Sequence, residues 1–70
     1  MTRKDYVKFA HLVRELQRDD LGHSDAQIIH LYKELFNIFL SDNSNFSKQK
    51  FIDASFSRKT ILDEWRVGRI

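Results

Sequence analysis

Apolar residues are densest between Ile28 and Leu40, where nine of thirteen positions are apolar. On a helix with 100° per residue, the polar positions of this segment share one strip, and the apolar positions spread over an arc of about 200°. An ordinary surface helix carries an apolar stripe of somewhat more than about 100°. A helix with this pattern needs cover on two sides, so it predicts the central helix of a small all-α domain.

Capping boxes predict the starts of the first two helices. Thr2 is followed by Asp5, and Ser24 by Gln27, at the spacing of that motif. Gly22 is a candidate for the left-handed residue that closes the first helix. The apolar residues of the first helix recur every three or four positions: Tyr6, Phe9, Val13 and Leu16. The predicted helices span residues 3–19, 25–40 and 48–55.

A hydrophobic staple predicts the start of the third helix. Phe46 precedes the cap residue Ser47, and Phe51 lies four residues beyond that cap. We expect the third helix to bury Phe51, Ile52 and Ala54. Residues 57–67 are either a fourth short helix capped by Ser57 or a tail that orders only on binding. The sequence thus predicts three helices, or four, with helix 2 central and antiparallel to helix 1.

The composition agrees with one helical domain over residues 1–70. The chain has no proline and two glycines, which favours helices over a turn-rich β fold. It has no cysteine, so disulfides and thiolate zinc sites are excluded. No stretch reaches the ~20 apolar residues that span a bilayer, and nothing resembles a signal peptide. We therefore expect a cytoplasmic protein with no membrane partner.

The chain resembles small proteins that are common in bacteriophage genomes. The residues that carry this resemblance are Thr2, Arg3, Lys4, Asp5, Tyr6, Ala10, Leu12, Asp42, Asn43, Phe46, Phe51, Ile52 and Ala54. They are mostly capping and core positions, and together they cover about residues 2–54. The family has no established activity, so the resemblance implies a viral or prophage origin, in a bacterial host, and no particular chemistry. Residues 56–70 depart from the family's short ending.

Catalytic and metal-binding patterns are missing from the sequence. None of the ten carboxylates lies in an apolar setting that would raise its pKa, and there is no phosphate loop or nucleophile motif. His23 and His30 are seven residues apart, and His11 lies on another helix. A zinc site needs three or four converging ligands, usually with a second histidine four residues on or a cysteine pair. We predict no metal, no cofactor and no enzymatic activity.

Basic residues suggest nucleic-acid binding as an alternative function. The net charge is +2, and residues 46–70 hold six basic and three acidic side chains. A basic stripe also lies opposite the apolar face of helix 1. Helix 2 is too apolar to contact base edges in a DNA groove, so any binding of nucleic acid would act through charge. The candidate phosphate contacts are Lys4, Lys8, Arg14, Arg18, Arg58 and Lys59.

The apolar excess of helix 2 suggests a docking face. In one interpretation, helix 1 and residues 46–55 cover all of the arc; in the other, part of it pairs with a second copy or with a protein target. Trp65 is a further candidate anchor, because Trp and Arg dominate hot spots and because Asp63 and Glu64 beside it would repel phosphate. The candidate protein-binding residues are Ile29, Leu31, Phe36, Ile38, Leu40, Trp65, Arg66 and Arg69.

These patterns favour a non-catalytic interaction protein of phage type. We expect it to dock on a host or phage protein and modulate that protein, for instance a component of host defence or of transcription. A nucleic-acid-associated accessory protein that uses the basic C-terminal tail is the first alternative. A small structural or assembly subunit is the second.

Overall fold

The structure, a computed structural model, describes residues 1–70 and contains four α-helices and no strand. The helices are α1 (Arg3–Leu16), α2 (Asp25–Asp42), α3 (Lys48–Ser55) and α4 (Lys59–Arg66), with a one-turn 3-10 helix at Asp19–Leu21. The predicted all-α fold is confirmed, and the fourth helix is formed. The bounds of α3 are those predicted, and α2 continues two residues beyond its predicted end.

Local hydrogen bonds explain where α2 and α3 begin. The Ser24 hydroxyl accepts the Gln27 N–H at 3.2 Å, and the Gln27 side chain accepts the Ser24 N–H at 2.8 Å. The Ser47 hydroxyl accepts the Lys50 N–H at 3.3 Å. Each bond satisfies an N–H group that has no partner within its own helix. The predicted capping box and the third-helix cap are therefore confirmed.

The first helix ends earlier than the sequence predicts. It stops at Leu16 rather than residue 19, because Gln17 turns its side chain into the core and Arg18 is extended. The chain then makes the 3-10 turn, which Gly22 closes with φ +74° as predicted for that glycine. The start of α1 is held by Asp5, whose carboxylate accepts the N–H of Thr2 at 2.9 Å.

The buried side of α1 is rotated from the predicted one. Its buried positions are Ala10 and Val13, and Gln17 directly after the helix is buried too, whereas Phe9 and Leu16 are only half-buried. The rotation has a physical reason: α1 packs against α3 along one side, and its aromatic residues Tyr6 and Phe9 contact Phe39 of α2 on the other. Its direction is antiparallel to α2, because Tyr6 contacts the end of α2 and Gln17 its middle.

An aromatic cluster centred on α2 forms the core. Phe39 is fully buried, and its ring lies 5.0–5.4 Å from those of Tyr6, Phe9, Phe46 and Phe51. Such ring pairs contribute about 0.5–1.5 kcal/mol each beyond their burial. Phe46 and Phe51 also face each other at 5.9 Å, which confirms the staple. The central position predicted for helix 2 is therefore correct.

The fourth helix folds back onto α2 and α3. The Trp65 ring packs edge-on against Phe36 at 6.2 Å, and its indole N–H donates to Gln49 at 2.9 Å. The radius of gyration of 11.5 Å is close to the ~11 Å expected for a compact chain of this length. The predicted cap was wrong: α4 is preceded by Arg58, not Ser57. The backbone N–H groups of both residues bond the side chain of Gln17 instead.

Candidate functional site

A groove of about 360 Å³ lies between α1 and α3. Ala10 of α1 and Ala54 of α3 line it, and their small side chains leave the space open. Ala54 was predicted to be buried, but it is exposed beside the groove. The prediction failed because α3 turns its large residues Phe51 and Ile52 into the core, which leaves the opposite side of that short helix outside.

Aromatic and aliphatic side chains form the floor of the groove. Tyr6 and Phe46 are stacked, with ring centroids 5.2 Å apart and planes at 28°. Val7 beside them is 47% exposed, so it adds accessible apolar surface to the groove. The Tyr6 hydroxyl donates to Asp42 at 3.3 Å. Desolvation raises the pKa of Tyr6, and the Asp42 carboxylate raises it further, so Tyr6 is a neutral phenol at physiological pH.

Two cations and no carboxylate line the groove. Arg3 stands at the first position of α1 and Lys50 in the first turn of α3, and neither forms an ion pair. The nearby acids in the sequence are engaged elsewhere. Asp5 bonds the backbone at the start of α1, Asp42 pairs with the terminal ammonium group, and Asp53 accepts a bond from a glutamine of α3. The lining residues themselves therefore carry two positive charges and no negative charge.

Uncharged polar groups occupy the end of the groove in the loop between α2 and α3. Asn43, Asn45 and Ser47 line it there. The Asn43 side-chain oxygen accepts the Asn45 N–H at 3.0 Å, and the Asn43 side chain also lies against Tyr6, whereas the Asn45 side chain forms no hydrogen bond within the protein. Amides of this kind donate to and accept from a peptide backbone. The lining can therefore bind through apolar contact, charge and hydrogen bonds.

The docking face predicted on α2 is only partly available. Phe36 is 3% exposed and packs within the aromatic core, so the prediction that it binds a partner was wrong. Its ring is covered by Trp65, which the sequence pattern did not pair with it. Ile29, Leu31 and Leu40 are half-buried at the core margin. Ile38 alone among these α2 candidates is exposed, at 56%.

The candidates in the C-terminal segment have separate roles. Trp65 is half-buried and holds α4 to the rest of the domain, so much of its ring is unavailable to a partner. Arg69 forms a long ion pair with Glu64 at 3.4 Å. Arg66 is exposed and unpaired.

The candidate phosphate contacts do not form one free basic surface. Arg18 is paired with Glu15 and Asp20, at 2.6 and 2.9 Å. Arg58 pairs with Asp25 at 2.8 Å, and it also donates to the carbonyl at the end of α1. The remaining candidates are exposed and carry no ion pair: Lys4, Lys8, Arg14 and Lys59. The paired arginines have their charge balanced within the domain.

A polar hollow between the 3-10 turn and the start of α4 is the other notable concavity. His23, Asp25 and Lys59 line it, and the ion pair of Arg58 with Asp25 crosses its wall. Its lining is entirely polar and it is wide open to solvent. No group of three or more histidine and carboxylate side chains converges here or elsewhere in the structure in a way that could hold a metal ion.

The sequence reasoning missed two features. One is the α1–α3 groove, because Arg3 and Lys50 are far apart in the chain. The other is Gln17, which is 2% exposed and joins α1, α2 and α3 through its amide. A signal for Gln17 was present: it follows Ala10 and Val13 at helical spacing on the same face. A glutamine in that register is a candidate for a buried, hydrogen-bonded group.

None of the four helices is long and apolar enough to cross a membrane. Comparisons with models of protein families, with curated proteins and with solved structures find no match to this chain. The α1–α3 groove is therefore identified by the geometry and charge of this chain alone.

Proposed function

We propose that this protein is a non-catalytic binding module that docks on another protein through the α1–α3 groove and modulates it. The groove itself carries the proposal. It combines an apolar floor with two cations, Arg3 and Lys50, and no carboxylate lies among its lining residues. Its size of about 360 Å³ is that of a pocket for a few side chains or a small ligand.

The chemistry of the lining supports binding rather than catalysis. Arg3, Lys50 and the asparagines offer charge and hydrogen bonds. The groove has no imidazole, carboxylate or thiol to act as a base or a nucleophile. Two groups near it have shifted pKa values, Tyr6 and Asp42, and they are occupied with each other and with the terminal ammonium group. Their shifts are those of a structural contact.

The resemblance to small phage proteins makes a host or phage protein in the bacterial cytoplasm the proposed partner. A component of host defence or of transcription is the example we favour. Exposed Ile38 on α2 supports a further contact, either with the same target or with a second copy of the chain. Sedimentation of the chain at micromolar concentration, with and without Ile38→Glu, tests the homodimer. A monomer in both samples excludes it.

Nucleic-acid association is the second candidate function. The observation that favours it is the set of exposed, unpaired cations on α1, Lys4, Lys8 and Arg14. It ranks below protein docking because Arg18 and Arg58 are neutralised by carboxylates, and because phosphate contacts need free charge. A structural subunit of an assembly is a third candidate, and it would use the same apolar surfaces.

The test is affinity capture from host lysate with two matched variants. Ala54→Leu fills the groove, while Ala26→Leu makes the same change at an exposed position of α2 outside it. We expect one or more proteins to be captured by the unmodified chain and by Ala26→Leu but lost with Ala54→Leu. Nuclease treatment should leave that capture unchanged. Capture that nuclease abolishes, or that Ala54→Leu leaves intact, contradicts docking through the groove.

A further inference from the structure

The α1–α3 groove carries information about the chemistry of its partner. We infer that it binds an acidic segment of a partner protein, in which an aromatic or large aliphatic side chain is flanked by carboxylates. This inference rests on the proposed function, because it specifies what docks in the same groove. Its basis is charge complementarity combined with the shape of the floor.

The two cations of the groove lie where they oppose the stability of their own helices. Arg3 is the first residue of α1, and Lys50 lies in the first turn of α3. The amino-terminal end of a helix carries a partial positive charge, so acidic residues stabilise that position and basic residues destabilise it. The first turn of α3 contains no acidic residue to offset Lys50.

The positive potential of the groove adds from several sources. The amino-terminal ends of α1 and α3 both contribute at residues that line it, next to the side chains of Arg3 and Lys50. No carboxylate lies among the lining residues, and the nearest one, Asp42, is paired with the terminal ammonium group. A carboxylate group of a partner would form charge-assisted hydrogen bonds with either cation. A basic segment would be repelled.

The floor of the groove selects the rest of the partner segment. Stacked Tyr6 and Phe46 and the half-exposed Val7 present apolar surface below the charged rim. A carboxylate alone would leave this surface in contact with water. An aromatic or large aliphatic side chain would cover it, since ring pairs favour offset or edge-on contact. The Asn45 side chain lines the groove and can bond the backbone of an extended segment.

Two other occupants of the groove compete with the acidic segment: a nucleic acid, and a purely apolar segment of a partner protein. A nucleic acid would supply anionic phosphates, but a strand needs a row of cations that follows its backbone. The groove offers only Arg3 and Lys50. A purely apolar segment would leave two cations beside a desolvated surface without partners, which is unfavourable. A segment with carboxylates beside a large apolar side chain would pair with the two cations and also cover the apolar floor.

The experiment is a selection of random twelve-residue peptides displayed on yeast, against the immobilised full chain. Bound clones are then tested against Ala54→Leu, with Ala26→Leu as the matched control. We expect enrichment of peptides that place glutamate or aspartate next to an aromatic or large aliphatic residue. Their binding should be lost on Ala54→Leu and kept on Ala26→Leu. Synthetic versions of an enriched peptide, with its acids replaced by the corresponding amides, then test the charge directly.

Charge reversal in the protein provides the second arm. Lys50→Glu creates a capping box with Ser47, and Arg3→Glu places an acid at a helix start, so both variants should fold. Each variant should lower the affinity for an enriched acidic peptide by about tenfold or more. Lys33 is an exposed residue of α2 outside the groove, so Lys33→Glu should lower that affinity by less than about twofold. Circular dichroism confirms that the variants are folded.

The outcomes separate this inference from the proposed function. If peptides without acidic residues bind, and Ala54→Leu abolishes their binding, the inference of an acidic partner is overturned. Docking through the groove then still stands. Enriched peptides that are insensitive to Ala54→Leu, or no enrichment at all, overturn both. Equal binding of the acidic peptide and its amide version overturns the inference, and so does equal loss with Lys50→Glu and Lys33→Glu.

Discussion

Gln17 is the residue whose replacement should most clearly destabilise this fold. Its amide nitrogen donates to the Ser55 carbonyl at 2.8 Å and to the Tyr32 hydroxyl at 3.3 Å. Its amide oxygen accepts the N–H groups of Ser57 at 2.8 Å and Arg58 at 3.2 Å. One side chain therefore satisfies backbone groups on both sides of the junction between α3 and α4. The structure contains no buried side-chain polar atom without a partner.

The expected magnitude follows from which groups Gln17→Ala leaves without partners. Ser55 is fully buried, so its carbonyl would lose its bond to Gln17 where no water reaches it. An unsatisfied buried polar group costs about 1–3 kcal/mol. The N–H groups of Ser57 and Arg58 would also lose their acceptor, and both of their bonds to Gln17 are part-buried. With the lost packing of the side chain, we expect a total of about 3–5 kcal/mol.

This loss is large for so small a domain. A chain of 70 residues has a free energy of unfolding of about 4–10 kcal/mol. A loss of 1 kcal/mol lowers the melting temperature of a domain of this size by about 4–8 °C. Gln17→Ala should therefore lower the melting temperature by more than about 12 °C or abolish the cooperative transition. Urea unfolding followed by circular dichroism measures the change in free energy.

Two matched variants separate the causes. Gln17→Met keeps most of the volume but makes none of the hydrogen bonds, so it should still cost about 2 kcal/mol or more. Gln49→Ala makes the same chemical change at an exposed glutamine, and it should cost about 1 kcal/mol because its bond to Trp65 lies in solvent. If Gln17→Ala were no more destabilising than Gln49→Ala, the buried network would not stabilise the junction, and the reasoning would be refuted.

Three further predictions concern the core, the fourth helix and pH. Phe51→Ala removes a ring that is 4% exposed and should cost about 3–5 kcal/mol in thermal unfolding; an unchanged melting temperature would contradict its burial. Trp65→Ala should cost about 1–3 kcal/mol and speed amide exchange in α4 more than in α2; uniform exchange would show that Trp65 does not hold α4. The terminal ammonium group of Met1 pairs with Asp42 at 2.6 Å, and this raises the pKa of the amine above 8.0 and lowers that of Asp42 below 3.8. The ion pair therefore stabilises the fold between pH 3.8 and pH 8.0. Its contribution is lost as pH rises through the raised pKa of the amine and as pH falls through the lowered pKa of Asp42. Asp42→Asn should remove both of these pH dependences of the free energy of unfolding, measured in urea.

The starts of the helices were determined by residues close together in the sequence. Ser24 with Gln27, and Ser47 with Lys50, form their hydrogen bonds across three residues, so the local chain contains all of the information. The central position of α2 also followed from its own pattern, because an apolar arc that wide is stable only when it is covered on two sides. These features were predictable before any packing was known.

Tertiary structure decided which surfaces stayed open and which polar groups were buried. The periodicity places both Phe36 and Ile38 on the apolar arc and does not distinguish between them. In the folded protein α4 covers Phe36, whereas Ile38 is exposed. Gln17 is buried because α3 and the loop after it supply partners about forty residues away. The groove exists because folding brings Arg3 and Lys50, from distant parts of the chain, to one apolar hollow. A one-dimensional pattern shows which face of a helix is apolar, whereas the relative placement of four helices determines what covers it.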